Sequence, residues 1–411
     1  MKVLQLCHKI PFPVHDGGAW SLFHNALGLI NNGIDLKVLA IRTPQNQVTI
    51  GEMPAGFRKR SRFECSLVDT RVKPLDALMN LFGNQSYFVK RFWSEKWNAH
   101  LIQVLQKEQF DIIQLEHLYM CLYLETIRKY SRARVILRPQ NVENQVWKRY
   151  LNGPVNLLKK QYLQIAANRL LNFEMHMARE VDGVIAISDA DAGTFREYSP
   201  ETPCTIVPIG FDFSKVGTCE IHKQFENFPA FYHLGSMDWM PNVQGIKWFI
   251  EEVMPFVAVD YPEFVFRIAG KKMPEWFFNR QGKNLVVDRD VTDSQIYHSD
   301  KPVMIVPILS GGGLRVKIIE AMALGKTVIS TTIGAEGIPY TDQKNILIAD
   351  TKEDFAIQIK KCRDSMEFCQ TIGKNAQKLA RENFDCNVTA AKMILFYKRL
   401  SDSHPTTNFH R

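Results

Sequence analysis

At 411 residues the chain exceeds one ordinary domain and suits two, each large enough to bury its own core. With 45% hydrophobic and 23% charged residues it reads as globular, and its longest apolar runs, such as Val303–Leu309, fall short of the roughly 18–20 residues that span a bilayer. The net charge of +8 suits an anionic partner, be it a nucleoside diphosphate, nucleic acid or an acidic membrane surface, without choosing among them.

The chain begins Met-Lys-Val-Leu-Gln-Leu-Cys, which reads as a strand and carries no signal-peptide pattern, so a cytoplasmic protein is expected. The first half then alternates strand and helix patterns. Strands are expected at Lys2–Cys7, Asp35–Ile41, Asp111–Leu115, Val135–Leu137 and Gly183–Ile187, with a helix over Gly18–Asn32. The pattern restarts at Phe231–Gly235, followed by a helix from about Asn242 and strands at Phe264–Ala269, Asn284–Val287 and Val303–Ile308. A helix over Gly313–Leu324 and a strand at Thr327–Ser330 follow. Strands alternating with helices of this length predict parallel sheets with right-handed crossovers. The expected architecture is therefore α/β, with two Rossmann-like, doubly wound domains facing across a cleft. Their expected bounds are 1–208 and 209–385. A C-terminal helix and frayed tail, 386–411, could cross back to the first domain. Eight cysteines without a C-x-x-C pair exclude a zinc framework and read as reduced, packed thiols.

The strongest chemical pattern is Ser310-Gly-Gly-Gly-Leu-Arg-Val-Lys-Ile-Ile-Glu320. It follows a buried strand and opens a helix. Glycines 311, 312 and 313 with Leu314 let backbone N–H groups approach an anion at the positive end of the helix dipole. Arg315 adds a fixed cation suited to a diphosphate, and Glu320 can accept hydrogen bonds from two sugar hydroxyls. Lys317 lies two residues from Arg315, so on one helix the two cannot both face one ligand squarely; Arg315, nearer the N-terminus, is the expected contact. Gly17-Gly18 opens the first helix and reads either as an anion loop or as a turn needed for chain reversal. Glu116-His117 follows one strand and Arg138 another, at the strand ends where doubly wound sheets take ligands. His8 and Asp16 have weaker claims on the same region. A basic stretch from Asn144 to Leu171, with Lys148, Arg149, Lys159, Lys160 and Arg169 beside Trp147, Tyr150 and Tyr162, reads either as a solvated helical face or as a helix lying on anionic lipid.

Ser310–Gly325, with Thr327-Val-Ile-Ser-Thr331 and Gly334-Ala-Glu-Gly337 after it, resembles the donor-binding signature of family 4 retaining glycosyltransferases of GT-B fold. Pro11-Phe-Pro13, Gly17-Gly18, Asn141-Val-Glu143 and Val184-Ile-Ala-Ile-Ser188 agree, so the resemblance runs from about residue 1 to residue 385. It implies transfer of a hexose from a UDP- or GDP-sugar to the hydroxyl of a glycan or lipid-linked acceptor, with retention, no essential metal and no other cofactor. It is typical of surface-polysaccharide assembly. It further implies that Gly17 and Gly18 approach the donor, that His117, with Glu116, stands beside the transferred sugar, and that Arg138 faces the acceptor. Ser236, Val291 and Glu336 would lie near the nucleotide. Two departures are visible. Gly312 stands where relatives often carry the first of two glutamates, and Gly235-Ser-Met-Asp-Trp-Met-Pro-Asn242 lacks their Arg and Lys. A UDP-sugar 2-epimerase of the same architecture, or a silent nucleotide-sugar-binding protein, are the alternative readings.

Overall fold

The computed structural model describes residues 1–14, 16–44, 50–80, 83, 85–151, 157–214, 216, 228–289, 291, 294–311 and 313–402. The chain forms two compact units, Met1–Gly210 with the C-terminal segment from Cys386, and Phe211–Asp385. The first unit holds a seven-stranded sheet: β1 (Lys2–Cys7), β2 (Asp35–Arg42), β3 (Glu64–Leu67), β4 (Ile112–Glu116), β5 (Arg134–Arg138), β6 (Gly183–Ala186) and β7 (Cys204–Ile206). Their order is β3-β2-β1-β4-β5-β6-β7, every pair parallel. The second unit holds β8 (Phe231–Leu234), β9 (Phe266–Ala269), β10 (Leu285–Asp288), β11 (Val303–Val306), β12 (Thr327–Ser330) and β13 (Leu347–Ile348). They are ordered β10-β9-β8-β11-β12-β13 and are likewise parallel.

Side chains alternate across a strand, and here both faces are covered by helices, so both alternating sets are apolar. In β1, Leu4 and Leu6 enter one core while Val3 and Cys7 enter the other. Val135 and Leu137 part from Ile136 in β5 in the same way. In the second unit Val303 and Ile305 of β11 join the core formed with Phe231, Phe249 and Ile329.

The helix Gly17–Asn31 begins one residue earlier than expected because Asp16 caps it, Oδ1 accepting from the Ala19 N–H at 2.9 Å. The C-terminal helix Cys386–Asp402 buries Cys386, Thr389, Ala390, Met393, Phe396, Tyr397 and Leu400, a stripe at the 3–4 residue spacing of a helix face. That stripe packs on the Gly17–Asn31 helix. Close approach is possible because Gly28 carries no side chain: a Cβ there would lie 2.1 Å from the Cys386 carbonyl oxygen. Tyr397 reaches further and donates its hydroxyl to Gln114 Oε1 of β4. The expected frayed tail lies, from residue 403 onward, outside the described residues.

Replacing Gly28 with alanine should lower stability by about 1–3 kcal/mol, the usual cost of overpacking. The drop would be read as a lower urea midpoint with an unchanged slope, and an unchanged midpoint would show that the two helices can separate freely.

Candidate functional site

Both sheets reverse their strand order beside their first strand, and each reversal gathers chemically capable side chains. In the second unit the reversal lies between β8 and β11. The chain leaves β8 through Gly235, whose carbonyl oxygen would sit 1.7 Å from a Cβ on Gly270, so the turns after β8 and β9 lie directly against each other. Beyond β11 the chain turns through Gly311 and Gly313, both at positive φ (100° and 90°), a region that L side chains rarely occupy. Trp239 and Pro241, from the turn after β8, lie 3.3–3.4 Å from the position a Gly311 Cβ would take. Gly312 lies outside the described residues.

The helix then runs only over Val316–Ala323, with Arg315 as its N-cap and not in its first turn. The helix therefore starts three residues later than the expected Gly313. The 100° step of a helix does not relate Arg315 to Lys317, because Arg315 is extended backbone at φ −87° and ψ 92°. The Arg315 guanidinium lies 4.8 Å over the Trp239 ring and donates from Nη1 to the Gly313 carbonyl at 2.6 Å, so it holds the glycine turn in shape. Lys317 reaches under Gly235, whose Cβ would meet its Nζ at 2.6 Å. Its ammonium donates to Asn242 Oδ1 at 2.5 Å and to His233 Nε2 at 3.2 Å. His233 Nδ1 lies 2.7 Å from the Ile305 carbonyl, which can only accept; Nδ1 therefore carries the proton and Nε2 offers a lone pair. Asn242 is turned the same way, its amide N–H donating to the Ser236 carbonyl at 2.7 Å. Both partners of Lys317 are thus neutral. Burial, reinforced by the Arg315 charge, lowers the Lys317 pKa to about 7.

Glu320 is buried on the same helix and accepts from Ser294 Oγ at 2.6 Å. Ser294 opens the helix after β10, three residues past the partly buried Val291. Leu314 is buried and can serve a ligand only through its backbone. The Ser236 hydroxyl is turned to Asp238, which is itself paired with Lys272 at 2.8 Å. Glu336 is exposed in the turn after β12 and makes no contact with Lys317 or Glu320 among the described residues.

In the first unit the reversal lies between β1 and β4. His8 and His117 leave these strands side by side, ring centroids 4.3 Å apart, with His117 at φ 105°. His117 Nδ1 faces the Tyr119 N–H at 3.4 Å, and Nε2 lies 3.1 Å from Glu143 Oε1. The Tyr119 hydroxyl donates to the other Glu143 oxygen at 2.9 Å. Burial pushes the Glu143 carboxyl up, yet His117 and Tyr119 outweigh it and hold the group below its ordinary value. Glu174 closes the cluster from beneath, accepting the Glu143 and Asn144 backbone N–H groups at 2.8 and 3.3 Å. Burial raises Glu174 to about 8. His8 Nδ1 lies 3.0 Å from the Glu116 carbonyl oxygen, and burial, then His117 and Lys9, keep that ring neutral.

Two first-unit expectations are corrected. Glu116 is the last residue of β4 and has no exposed surface; Gln5, Asn25, Gln114 and Arg138 all donate to its carboxylate. Arg138, the last residue of β5, is 1% exposed and spends Nη1 on Ser21 and Glu116. The alternation of the strand turns both into the sheet's helix-covered interior, where Arg138 Nη1 lies 3.4 Å from Glu116 Oε2 beneath the Gly17–Asn31 helix. Gly18 sits against Lys9 Nζ and Gln140 Oε1, 2.6 and 2.8 Å from its virtual Cβ, and with Gly17 forms the Asp16-capped helix start. The basic stretch is split between the helices Glu143–Leu151 and Leu157–Glu180. Its Trp147 stacks on Phe88 at 3.7 Å and Arg169 donates to the Asn80 carbonyl. Lys148 and Lys160 are exposed, while the side chains of Arg149, Tyr150 and Lys159 lie outside the described residues. No helix among the described residues is long and apolar enough to cross a membrane. No group of three or more His, Cys, Asp or Glu among them could hold a metal ion.

Sequence reasoning did not give Glu143, Glu174, His233 or Asn242 a part in these clusters. Glu143 and Asn242 each stood at the end of a motif noted for other reasons, while Glu174 and His233 pack from elements that spacing does not connect.

The two parallel-sheet units make this a protein of GT-B fold, and residues 229–364 match the family described as Glycosyl transferases group 1. Over 395 residues the chain is 20% identical to a 44.6 kDa protein in the cps region of Klebsiella pneumoniae, covering 93% of this chain and 96% of that one. Among solved structures it is similar to sucrose-phosphate synthase from Thermosynechococcus elongatus, with TM-score 0.68 and 14% identity over 98% of this chain and all of that one. It is also similar to Anabaena HepE in complex with UDP, with TM-score 0.62 and 14% identity over 97% of this chain and 100% of that one. A glycosyltransferase from Rickettsia africae superposes with TM-score 0.62 and 15% identity over 98% and 99% of the two chains.

A lysine at about 7 when folded and near 10.4 when unfolded binds fewer protons in the native state between those values. The protein should therefore gain stability as pH rises from 7 toward 10, by at most about 1.4 kcal/mol per unit from this group. Lys317→Met should flatten that rise, checked by urea unfolding at pH 7, 8.5 and 10; equal slopes in both proteins would show the ammonium to be better solvated than its contacts indicate.

Proposed function

We propose that the protein is a retaining glycosyltransferase of family 4 that moves a hexose from a UDP- or GDP-sugar to an acceptor hydroxyl. The observation that carries this reading is Lys317, a cation with only neutral partners beneath Gly235 and beside the Gly311–Gly313 turn, inside the segment matching group 1 glycosyl transferases. An ammonium so placed gains most when a dianionic leaving group arrives, because the ligand supplies the compensating charge that the fold withholds. In this reading the backbone N–H groups of the glycine turn and the helix dipole share the diphosphate charge, and Glu320, steadied by Ser294, takes the ribose hydroxyls. Side chains and backbone supply the positive field, so the proposed chemistry is written without a metal or other cofactor.

For the first unit we infer that His117 touches the transferred sugar. Its Nε2–H is directed at Glu143, so it acts as an oriented hydrogen-bond partner. Retention then follows from attack on the face the leaving group departs from, with a diphosphate oxygen taking the acceptor proton. The acceptor hydroxyl oxygen bonds the anomeric carbon as the carbon–oxygen bond to the diphosphate breaks. The likeness to a protein of a cps region supports a place in surface-polysaccharide assembly. The complex of HepE with UDP supports a uridine nucleotide.

A thermal-shift screen of UDP-, GDP- and ADP-sugars should give stabilisation by one nucleotide, and Lys317→Met should weaken that binding by about 1.5–3 kcal/mol. Unchanged affinity in that variant would remove the diphosphate from this turn. In transfer assays with acceptor extract, His117→Ala should cut turnover by about 100-fold or more while nucleotide affinity holds. Isomerised sugar formed without acceptor would replace transfer with epimerisation.

A further inference from the structure

The first unit contains a cavity of about 480 Å³ that none of this donor chemistry uses. It lies beyond the end of β3, between the segment Asp69–Lys73 and the short helices Pro74–Met79 and Tyr87–Lys90. Four cations line it, Arg71, Lys73, Lys90 and Arg91, against two carboxylates. One carboxylate is already engaged: Arg71 grips Asp69 from Nε and Nη2 at 2.8 and 2.9 Å, and Lys73 stands 3.7 Å from it. Positive charge therefore exceeds negative within a small, concave volume.

Arg91 carries a buried donor that the fold leaves unmet. Its guanidinium lies over the Phe92 ring at 5.3 Å, its side chain makes no hydrogen bond or close ion pair among the described residues, its charge helps to hold Glu143 ionised, and its Nε is buried without a hydrogen-bond partner. A buried donor left unmet is costly, so an anion arriving here has a donor waiting. The same residue links the cavity to the histidine cluster. Phe92 stacks on Tyr119 at 4.3 Å, and the Tyr119 hydroxyl holds Glu143, the partner of His117. The rim is apolar as well as basic. Met79 and Trp93 line the cavity at 64% and 40% exposure, and Val72 and Leu75, within the adjoining segment, are 61% and 69% exposed. Cations around a hollow with bare apolar side chains at its edge match a ligand having a phosphoryl head and an apolar neighbour.

We propose that this cavity binds the phosphoryl group of the acceptor, a phosphate- or diphosphate-linked sugar, with the apolar rim receiving what lies beyond the phosphate. The word acceptor rests on the glycosyltransferase reading; the anion site does not. A phosphate held beside Arg91 sets the acceptor one side chain away from the Tyr119–Glu143–His117 chain and positions it without taking part in bond making.

The test uses the full chain with saturating UDP, which occupies the second unit's diphosphate turn. Calorimetric titrations with inorganic pyrophosphate, glucose 1-phosphate and farnesyl diphosphate then read the remaining anion site. Binding is expected, tightest for farnesyl diphosphate, and about tenfold weaker in Arg91→Gln and in the exposed-site variant Lys90→Gln. UDP affinity should be the same in both variants as in the unmodified protein. Binding of glucose 1-phosphate as tight as that of farnesyl diphosphate would assign the site to a soluble phosphosugar. No binding, or binding that both variants leave intact, overturns the proposal. So does attachment to phosphatidylglycerol vesicles that the variants abolish while no soluble ligand binds, which would make the surface a membrane contact. Failure of the unmodified protein to bind UDP, GDP or ADP would instead defeat the glycosyltransferase reading, and the anion titrations would still decide the cavity.

Discussion

A parallel strand delivers its chain at the carboxyl edge of the sheet, and where neighbouring strands send their helices to opposite faces the loops must part. Both sheets obey this constraint beside their first strand, and the histidine cluster and the Lys317 cluster both follow from it. In the first unit the parted loops leave His8 and His117 ring to ring; in the second they bring the Gly235 turn against Gly311 with Lys317 beneath. The apolar interiors on either side of each sheet serve to hold those loop ends still. The close contact at Gly28 and the Tyr397–Gln114 bond do the same from the C-terminal helix.

The two gatherings treat charge in opposite ways. The first unit compensates internally: Glu143 is met by His117 and Tyr119, and Glu116 by Arg138 and three amide side chains. Such groups orient and specify, and have little affinity left over for a ligand. The second unit leaves Lys317 with neutral partners, and the cost of desolvating it appears as a lowered pKa. A desolvated cation with neutral partners gains from an arriving anion, whereas a compensated carboxylate network gains little. That contrast separates Lys317 from Glu116 and Arg138, which sequence position had put on a similar footing.

Much of the architecture could be read from the chain. Val303–Val306 and Thr327–Ser330 announced themselves by β-branched composition and length, and the restart at Phe231 divided the pattern in two. Element ends were the weaker part. Glu116 and Arg138 were placed just past their strands, but pairing with β1 and β5 carries Glu116 into the ladder, and Arg138 pairs with it there. One more residue of strand keeps each side chain under the helices that cover the sheet, where both are buried. The helix after β11 shows the same sensitivity: starting at Val316 and not Gly313, it frees Arg315 from the helical step and lets Lys317 take the position under Gly235.

The sequence by itself determined what depends on neighbours along the chain: the alternation of strands and helices, the parallel sheets it entails, the glycine turn at 311–313 and the acid and cations that follow it. Only the tertiary structure decided which of those groups are spent and which are free to act, because that depends on partners far away in sequence. Lys317 meets Asn242 and His233 from 75 and 84 positions off, and Glu143 rests on Glu174 from 31. Desolvation and hydrogen-bond satisfaction are properties of a packed volume, and no local pattern of residues carries them.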